Sequence, residues 1–533
     1  MRYPIDELTT SERDRIAPHV TNLDQPVFAL VNLPETVKGA MFARYSRYQG
    51  TLRRLFIDEF AESLPEGPAA SYDAAEGRRA AELYERIFVG YGDDSVAQLG
   101  GAHVAAEWCS NVLTKILQRP RMASYLEQST RYIAYDVPMP GGEYRYHRDE
   151  ALGPGYEVAM DEIFRLYSDS LPAVAGWVDE TYPRAEGESE SARRRAVSAK
   201  AFDLLRGLLP AASLSHMGLY ASGQSYEQLI LHLIGHPLPE ARAYGQMILD
   251  AVKAVMPSFV ARVERPERGG EWITYLERRR AAAERWAARL DLERPDGGED
   301  RPSVRLLHVD GDEDGLIASL LFEAAGCSED RTRETVVALS IDERTELLRD
   351  LVGRRQNRRH RPGRGFEAVR YRFEIVSDYG AFRDLQRHRM LTVQWQALSP
   401  HLGAGVPEEV VEAGRGDAYA RALELSREAY QRIFDAGLHE SAPYALCLGY
   451  RIRYVLDLNA REAMHLIELR SGREGHPAYR AVAHEMHRLI HGVHPSIADA
   501  MSHVDDDTEP RLERILSEMR TEAKQRAAAG SAG

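Results

Sequence analysis

Cysteine is scarce in this chain. Cys109, Cys327 and Cys447 are its three cysteines, and their wide spacing does not form the pattern of a disulfide framework. Long hydrophobic runs are also lacking, since no apolar stretch approaches the roughly 20 residues that a membrane helix needs. The first residues lack the basic and then apolar layout of a signal peptide. We therefore expect a cytoplasmic protein without structural disulfides and without membrane spans.

Basic residues are also fewer than acidic ones, with 68 lysines and arginines against 82 aspartates and glutamates. The net charge is −14 at pH 7 and the isoelectric point is near 5.8, which argues against broad binding to nucleic acid or to a membrane surface. Recognition of an anion must then depend on local clusters of basic side chains. Apolar residues make up 44% of the chain and charged residues 28%, which is typical of a globular protein.

The densest polar cluster is residues 117–132, LQRPRMASYLEQSTRY, which lies between two apolar segments. In an extended segment, side chains two residues apart project to the same side, as Glu127, Ser129 and Arg131 would. Guanidinium groups beside a hydroxyl suit a phosphate group. A surface strand with local ion pairs is the other interpretation of the same residues.

The same string recurs in the second half of the chain, where residues 385–400 read LQRHRMLTVQWQALSP. The positions shared by the two strings are Leu117, Gln118, Arg119, Arg121, Met122 and Gln128, which match Leu385, Gln386, Arg387, Arg389, Met390 and Gln396 in the same order. The chain is therefore interpreted as a diverged tandem duplication.

The first string resembles the signature of the flavin-dependent thymidylate synthases, Arg-His-Arg-x-x-Ser-x-x-Glu-Gln-Ser-x-Arg-Tyr. That family methylates dUMP with FAD, NADPH and methylenetetrahydrofolate. The first copy departs from the signature at Pro120, where the family has His. The second copy keeps Arg387, His388 and Arg389, but Trp395 stands where the family has Glu. Each copy retains a different part of the signature.

Residues 442–470 carry the best match in the second copy, and we interpret them as a helical segment. Asn459 and Arg461 are the ends of an Asn-Ala-Arg triplet, which is similar to a flavin contact of the family. His465 takes the position of a family Asn. Arg470 takes the position of the arginine thought to ionise uracil N3.

The first copy has lost this half of the site. Its corresponding stretch, residues 201–259, is also interpreted as helical. Arg206 precedes Leu-Pro as the family's substrate arginine does. Ser222 occupies the position of the flavin-contacting Asn of the family, and Leu233 occupies the position of the arginine that contacts the uracil. The losses of the two copies are complementary.

The resemblance therefore implies a hybrid site, in which the first copy holds a pyrimidine nucleotide and the second holds FAD. The predicted substrate-binding residues are Arg119, Glu127, Gln128, Ser129, Arg131 and Arg206, the predicted flavin-binding residues are Arg387, His388, Arg389, Asn459, Arg461 and His465, and the predicted catalytic residues are Ser129 and Arg470. It also implies a homodimer that acts as a pseudo-tetramer. A catalytically inactive descendant that binds nucleotide or flavin is one alternative, and C5 modification of another pyrimidine nucleotide is a second.

For the fold, we expect an α+β domain used twice, each with a mixed or antiparallel sheet covered by long helices. The predicted boundaries are a first thymidylate synthase-like domain over 1–265, a charged helical linker over 266–302 and a second such domain over 303–533. Residues 304–309 and 369–376 are predicted strands, and the second alternates apolar and polar side chains.

Two further basic patterns have more than one interpretation. The arginine-rich segment 354–365 lacks interleaved aromatics, so a phosphate-facing loop or a solvated run is preferred over nucleic-acid binding. His484, His487, His491 and His494 lie along one arc of a predicted helix. Such an arc can bind a metal ion, but it matches no ligand signature, so we predict a solvated face and no metal.

Overall fold

The structure of the chain is a computed structural model. It describes residues 3–4, 7–61, 97–131, 133–139, 141–184, 186–292, 301–507, 512 and 514–530. Tyr132 of the first string and residues 293–300 of the predicted linker lie outside the described residues.

α-Helices make up about half of the described chain. In its first half they are α1 (Thr10–Ile16), α2 (Glu35–Tyr45), α3 (Leu52–Leu55), α4 (Asn111–Leu117), α5 (Pro154–Thr181), α6 (Glu190–Leu205), α7 (Gly223–Ile234), α8 (Pro239–Lys253), α9 (Pro257–Val260) and α10 (Glu271–Arg289). In its second half they are α11 (Glu313–Leu321), α12 (Glu329–Val337), α13 (Ile341–Val352), α14 (Tyr379–Leu385), α15 (Glu408–Glu412), α16 (Gly416–Asp435), α17 (Ala460–Arg470), α18 (Pro477–Val493), α19 (Pro495–Asp499) and α20 (Ile515–Gly530). None of these helices combines the length and the apolar character that a membrane crossing requires.

Two four-stranded antiparallel sheets have the same strand order. The first contains β1 (Val27–Leu30), β2 (Gly101–Ser110), β3 (Ala123–Glu127) and β4 (Leu214–Ser222) in the order β1-β2-β4-β3. The second contains β5 (Ser303–Asp310), β6 (Arg370–Asp378), β7 (Thr392–Trp395) and β8 (Arg451–Asn459) in the order β5-β6-β8-β7. The predicted α+β fold with antiparallel sheets and long helices is confirmed.

The repeated string has the same structural position in both halves. In each half a short helix leaves a central strand and precedes an edge strand: α4 lies between β2 and β3, and α14 between β6 and β7. The two helices end at Leu117 and Leu385, which are matching leucines of the two strings. The sequence repeat is thus a structural repeat.

The chain divides into two compact units that do not follow the sequence halves. The front unit comprises Met1–Asp169, Leu209–Asp296 and Glu424–Cys447, and the back unit comprises Ser170–Leu208, Gly297–Leu423 and Leu448–Gly533. The front unit contains the first sheet and the back unit the second. Residues 170–208, which precede β4 in the sequence, belong to the back unit. The predicted domain boundaries describe sequence repeats and stay a prediction.

The predicted strands of the second half are confirmed. β6 places Tyr371, Phe373 and Ile375 in the core and turns the alternate side chains outward, as a half-buried strand should. β5 covers the predicted residues 304–309 and one further residue at each end.

Two stretches that we interpreted as helical contain strands, and those interpretations were wrong. Residues 201–259 include β4, and residues 442–470 include β8. The helical interpretation holds for the end of α6 before β4, for α7, α8 and α9 after β4, and for α17 after β8. Ser222 and Asn459 end the two strands, and their side chains cap α7 and α17 by accepting from a backbone N–H in the first turn.

Candidate functional site

Arg206 belongs to the back unit and follows α6. Its side chain is 5% exposed, and Nη1 donates a hydrogen bond of 3.3 Å to Oδ2 of Asp384. Nη2 lies 3.8 Å from Oδ1 of Asp378 and makes no hydrogen bond within the described chain. Gly380 permits this approach, because a Cβ there would lie 3.0 Å from Nε of Arg206. A buried guanidinium therefore keeps one donor available for a ligand.

Asp384 gathers three arginines from separate parts of the sequence. Besides Arg206, Nη1 of Arg387 lies 3.6 Å from its Oδ1, and its backbone carbonyl accepts a 2.6 Å hydrogen bond from Nη2 of Arg470. Three guanidinium groups around one carboxylate leave an excess of positive charge, even with Asp378 nearby. Such an excess attracts an anion.

Arg470 is the last residue of α17 and is held in a fixed orientation. Its Nε donates to Nε2 of His388 at 3.1 Å, so the neutral imidazole carries its proton on Nδ1. That Nδ1 donates to Oε1 of Glu462 at 2.9 Å. Cζ of Arg470 also lies 5.4 Å from the ring centre of Tyr479. Burial lowers the pKa of Arg470, and the Asp384 carboxylate opposes this change.

His388, Glu462 and His465 form a compact polar group. Nδ1 of His465 lies 3.3 Å from Oε2 of Glu462. Burial lowers the pKa of His388 to about 4, so the ring is neutral near pH 7. Burial opposes the charged form of Glu462, but hydrogen bonds from the two histidines hold its pKa at about 2. One potential ligand atom of each residue lies within 4.8 Å of the others, as in a metal site.

A cavity of about 340 Å³ lies within the back unit, beside Arg206. Its polar lining includes Lys200, Asp203, Arg206, Tyr419, Arg451 and His476. Binding sites for small molecules typically begin at about 300 Å³. Three basic side chains, Lys200, Arg206 and Arg451, and three carboxylates, Asp203, Asp378 and Glu409, thus face the same cavity.

The other predicted flavin-binding residues lie near the ends of the same back-unit elements. Asn459 caps α17, because its Oδ1 accepts from the backbone N–H of Glu462 at 2.9 Å. Arg461 donates to the carbonyl of Pro362 at 3.0 Å. Arg387 and Arg389, which flank the buried His388, are both exposed. The structure thus joins His388 and His465 through Glu462, and the contact of all six second-copy residues with flavin stays a prediction.

The first-copy string lies in the front unit, and its carboxylate is buried. Glu127 on β3 accepts hydrogen bonds from Nζ of Lys115 at 2.9 Å and from the side-chain amide of Gln118 at 2.8 Å. Lys115 and Glu127 have side chains that are 2% and 1% exposed. Glu127 therefore holds β3 against the end of α4.

The remaining first-copy residues follow β3. The side chain of Gln128 donates to the carbonyl of Tyr48 and accepts from Arg145. Oγ of Ser129 accepts from the backbone N–H of Arg131 at 3.3 Å. Arg119 and Arg121 lie exposed in the turn before β3. The predicted contacts of these front-unit residues with a nucleotide, and their meeting with Arg470, stay predictions.

The two other basic patterns have individual partners. Arg355 of the arginine-rich segment forms a buried ion pair with Glu468, while Arg364 forms an exposed pair with Glu367. In the histidine arc, Nε2 of His487 lies 3.2 Å from a backbone carbonyl, and buried His494 lies 2.9 Å from the hydroxyl of Tyr371. His487 and His494 thus have separate partners. His494 is buried and does not lie on a solvated face.

Sequence interpretation missed two carboxylates of this site, Asp384 and Glu462. A local signal existed for each, because Asp384 precedes Arg387 by three residues and Glu462 precedes His465 by three, the spacing of neighbours on a helix. The contact between Asp384 and Arg206 has no such signal, since it joins distant parts of the chain.

The comparisons with known proteins agree with this architecture. The family model described as Thymidylate synthase complementing protein matches residues 45–258 and 315–496. The two matched regions fall in the two sequence repeats and together cover most of the chain. The chain therefore belongs to the thymidylate synthase complementing protein family, which is the family of the flavin-dependent thymidylate synthases.

One relative matches this chain along nearly its full length, and two other proteins match part of it. A UPF0159 protein of Chlamydia muridarum is 34% identical, over 97% of this chain and 99% of its own. A flavin-dependent thymidylate synthase of Geobacter sulfurreducens is 30% identical over 22% of this chain and 54% of its own. The solved structure of a UMP/dUMP methylase, PolB of Streptomyces cacaoi, bound with 5-Br dUMP, aligns with 38% of this chain and 95% of its own, at 21% identity and a TM-score of 0.30.

Proposed function

We propose that this chain methylates a pyrimidine nucleotide at C5, with dUMP as the first candidate. Methylenetetrahydrofolate would be the carbon donor, and FAD the cofactor that NADPH reduces. One observation carries the proposal: Arg206 from the first half of the sequence and Arg470 from the second lie on the same residue, Asp384. A hybrid site requires this meeting of the substrate arginine of one copy with the uracil arginine of the other.

The cavity beside Arg206 supports the binding of a nucleotide. A nucleotide monophosphate carries a doubly charged group that needs several donors, and the lining offers Lys200, Arg206 and Arg451. Nη2 of Arg206 is a buried donor with no hydrogen bond among the described residues. A phosphate oxygen would satisfy it, which removes the cost of a buried unsatisfied group.

Arg470 is the residue that acts on the base in this proposal. In the proposal its guanidinium donates to the N3–O4 edge of the pyrimidine and stabilises the negative charge that develops there. Loss of one such donor typically costs about 2.7–4 kcal/mol, or a hundredfold to a thousandfold in rate. His388 accepts from Nε of Arg470 and thereby fixes the direction in which the guanidinium points.

The charge and exposure of the second-copy residues support the binding of a flavin. Arg387, whose side chain is 37% exposed, and exposed Arg389 suit the pyrophosphate of FAD. Asn459 and Arg461 stand at the first turn of α17, where backbone N–H groups favour an anion, and His465 lies one turn further along the helix. Bound flavin would supply the hydride and carry the methylene group. Residues of the chain need only bind, orient and stabilise charge.

The front-unit residues keep a more limited role in this proposal. Arg119, Ser129 and Arg131 remain predicted nucleotide contacts, with Ser129 as the predicted catalytic hydroxyl. Glu127 and Gln128 instead fix β3, because both are already hydrogen-bonded within the front unit. We also propose a homodimer, which light scattering of the purified protein would test.

The proposal is tested on the purified full-length chain. We expect visible flavin absorbance and formation of dTMP from dUMP, methylenetetrahydrofolate and NADPH. Arg470→Gln and Arg206→Gln should each lower the rate of dTMP formation by at least about a hundredfold. Arg488→Gln is the matched control, because Arg488 of the same unit is exposed and pairs only locally with Glu485. Full activity of both site variants would refute the assignment.

The second candidate function is nucleotide binding without turnover. Its specific support is Trp395, which replaces the signature glutamate and packs against Phe382 with ring centres 5.5 Å apart. This position of the second copy is thus hydrophobic and cannot accept a hydrogen bond. Colourless protein that binds dUMP in a calorimeter, and whose binding is lost in Arg206→Gln, would favour this candidate.

A further inference from the structure

The group formed by His388, Glu462 and His465 has the composition of a metal site. Glu462 and His465 form a Glu-x-x-His pair on α17, a spacing that carboxylate metal sites of helical proteins use. His388 comes from the turn after α14 and completes a set of two imidazoles and one carboxylate. Glu462 belongs to none of the sequence motifs described above.

The distances between the ligand atoms suit a single ion. Oε1 of Glu462 lies 2.9 Å from Nδ1 of His388 and 3.4 Å from Nδ1 of His465, and one ligand atom of each residue lies within 4.8 Å of the others. Nitrogen and oxygen ligands bound at about 2.0–2.2 Å around one ion lie roughly 3.0–3.4 Å apart. The side chain of His465 is 24% exposed, whereas that of His388 is 2% exposed, so an ion can enter from the His465 side.

We propose that His388, Glu462 and His465 bind one divalent first-row transition-metal ion through two Nδ1 atoms and the carboxylate. Imidazole with carboxylate suits ions such as Zn²⁺, Co²⁺ and Fe²⁺. The remaining coordination positions would be taken by water or by a ligand.

The proposal has a consequence for Arg470. A neutral imidazole that gives its Nδ1 lone pair to a metal carries its proton on Nε2. In the structure Nε2 of His388 accepts from Nε of Arg470, and a protonated Nε2 cannot accept. Metal binding and the Arg470–His388 hydrogen bond therefore exclude one another, and Arg470 lowers the affinity for the metal.

The first experiment measures metal binding by the full-length chain after treatment with a chelator. Co²⁺ is titrated with detection of its visible absorption, and Zn²⁺ by calorimetry. We expect one ion per chain, with affinity at least about tenfold weaker in His465→Ala and Glu462→Gln. His491→Ala is the matched control, because His491 is an exposed histidine on α18 whose side chain is 56% exposed.

Circular dichroism confirms that each variant is folded. His465→Ala keeps the test decisive if Glu462→Gln fails to fold, because His465 is the most exposed of the three ligands. Absence of bound ion in the parent chain, or equal binding by His465→Ala, would overturn the proposal. Loss of binding in His491→Ala alone would place the ion on the histidine arc and also overturn it.

The second experiment tests the competition with Arg470. Arg470→Met should bind Zn²⁺ about tenfold more tightly than the parent chain, which corresponds to about 1.4 kcal/mol. Arg387→Met removes the same charge from the neighbourhood of Asp384 but keeps the Arg470–His388 hydrogen bond, so it should change the affinity less. An unchanged or weaker affinity in Arg470→Met, or equal tightening in both variants, would refute the exclusion between metal and Arg470. This readout does not depend on methylation, so the two proposals can fail separately.

Discussion

The buried ion pair between Arg355 and Glu468 is expected to hold the arginine-rich segment against α17. Nη1 and Nη2 of Arg355 donate to the two carboxylate oxygens at 2.6 and 2.5 Å, and the side chains are 3% and 0% exposed. In Arg355→Met the carboxylate would keep the backbone N–H of His503, at 3.2 Å. Breaking a buried pair from one side typically costs about 3–5 kcal/mol, because an uncompensated charge stays buried.

The same segment contains its own control. Arg364 makes two hydrogen bonds of 3.1 Å to Glu367, yet its side chain is 82% exposed. Exposed pairs contribute about 0–1 kcal/mol. Arg364→Met should therefore change the free energy of unfolding by less than about 1 kcal/mol, although the charge lost and the chemistry of the pair are the same.

The assay is urea unfolding followed by circular dichroism, with hydrogen exchange of the α17 amides as a local readout. Removing both partners in Arg355→Met with Glu468→Met should recover much of the loss, because no charge is then left buried. Equal destabilisation by Arg355→Met and Arg364→Met would refute the reasoning, as would a double variant that is less stable than Arg355→Met.

Three further predictions concern other parts of the molecule. Lys115→Met should lower the free energy of unfolding by about 3–5 kcal/mol in urea, because Glu127 stays buried without its cation. Burial lowers the pKa of His388 from 6.5 to about 4, so the unfolded chain binds more protons between these values. The urea midpoint should therefore fall as the pH is lowered from 6.5 to 4, and it should fall less in His388→Asn. Gly207→Ala should lower the free energy of unfolding in urea by about 1–3 kcal/mol, because its Cβ would lie 2.0 Å from the hydroxyl of Tyr419.

The sequence allowed the repeat and the fold class to be predicted, because both depend on local patterns. The alternation in 369–376 identified β6, and the repeated string identified the duplication, although it did not predict the helices that end at Leu117 and Leu385. β8 was missed although Ile452, Tyr454, Leu456 and Leu458 alternate and are buried. α17, which follows β8, is also rich in apolar residues. Over the whole stretch 442–470 its helical spacing obscured the alternation of the strand.

β4 offered no comparable signal. Its residues from Leu214 to Leu219 are all buried, so apolar and small side chains occur on both faces. A continuous buried run cannot be assigned to strand or helix by its period alone. The site shows the same limit at longer range, because the contact of Arg206 with Asp384 joins residues that no spacing rule connects.

The assignment of residues 170–208 to the back unit affects how the protein can be divided for experiments. A fragment that begins at residue 303, where the second sequence repeat starts, would lack α6 and Arg206 and leave Asp384 with Arg387 and Arg470. Co-expression of the two sequence halves would restore the missing segment only if residues 170–208 could rejoin the second sheet. In limited proteolysis, the informative result is therefore which fragments stay associated. The position of the first cleavage site is less informative.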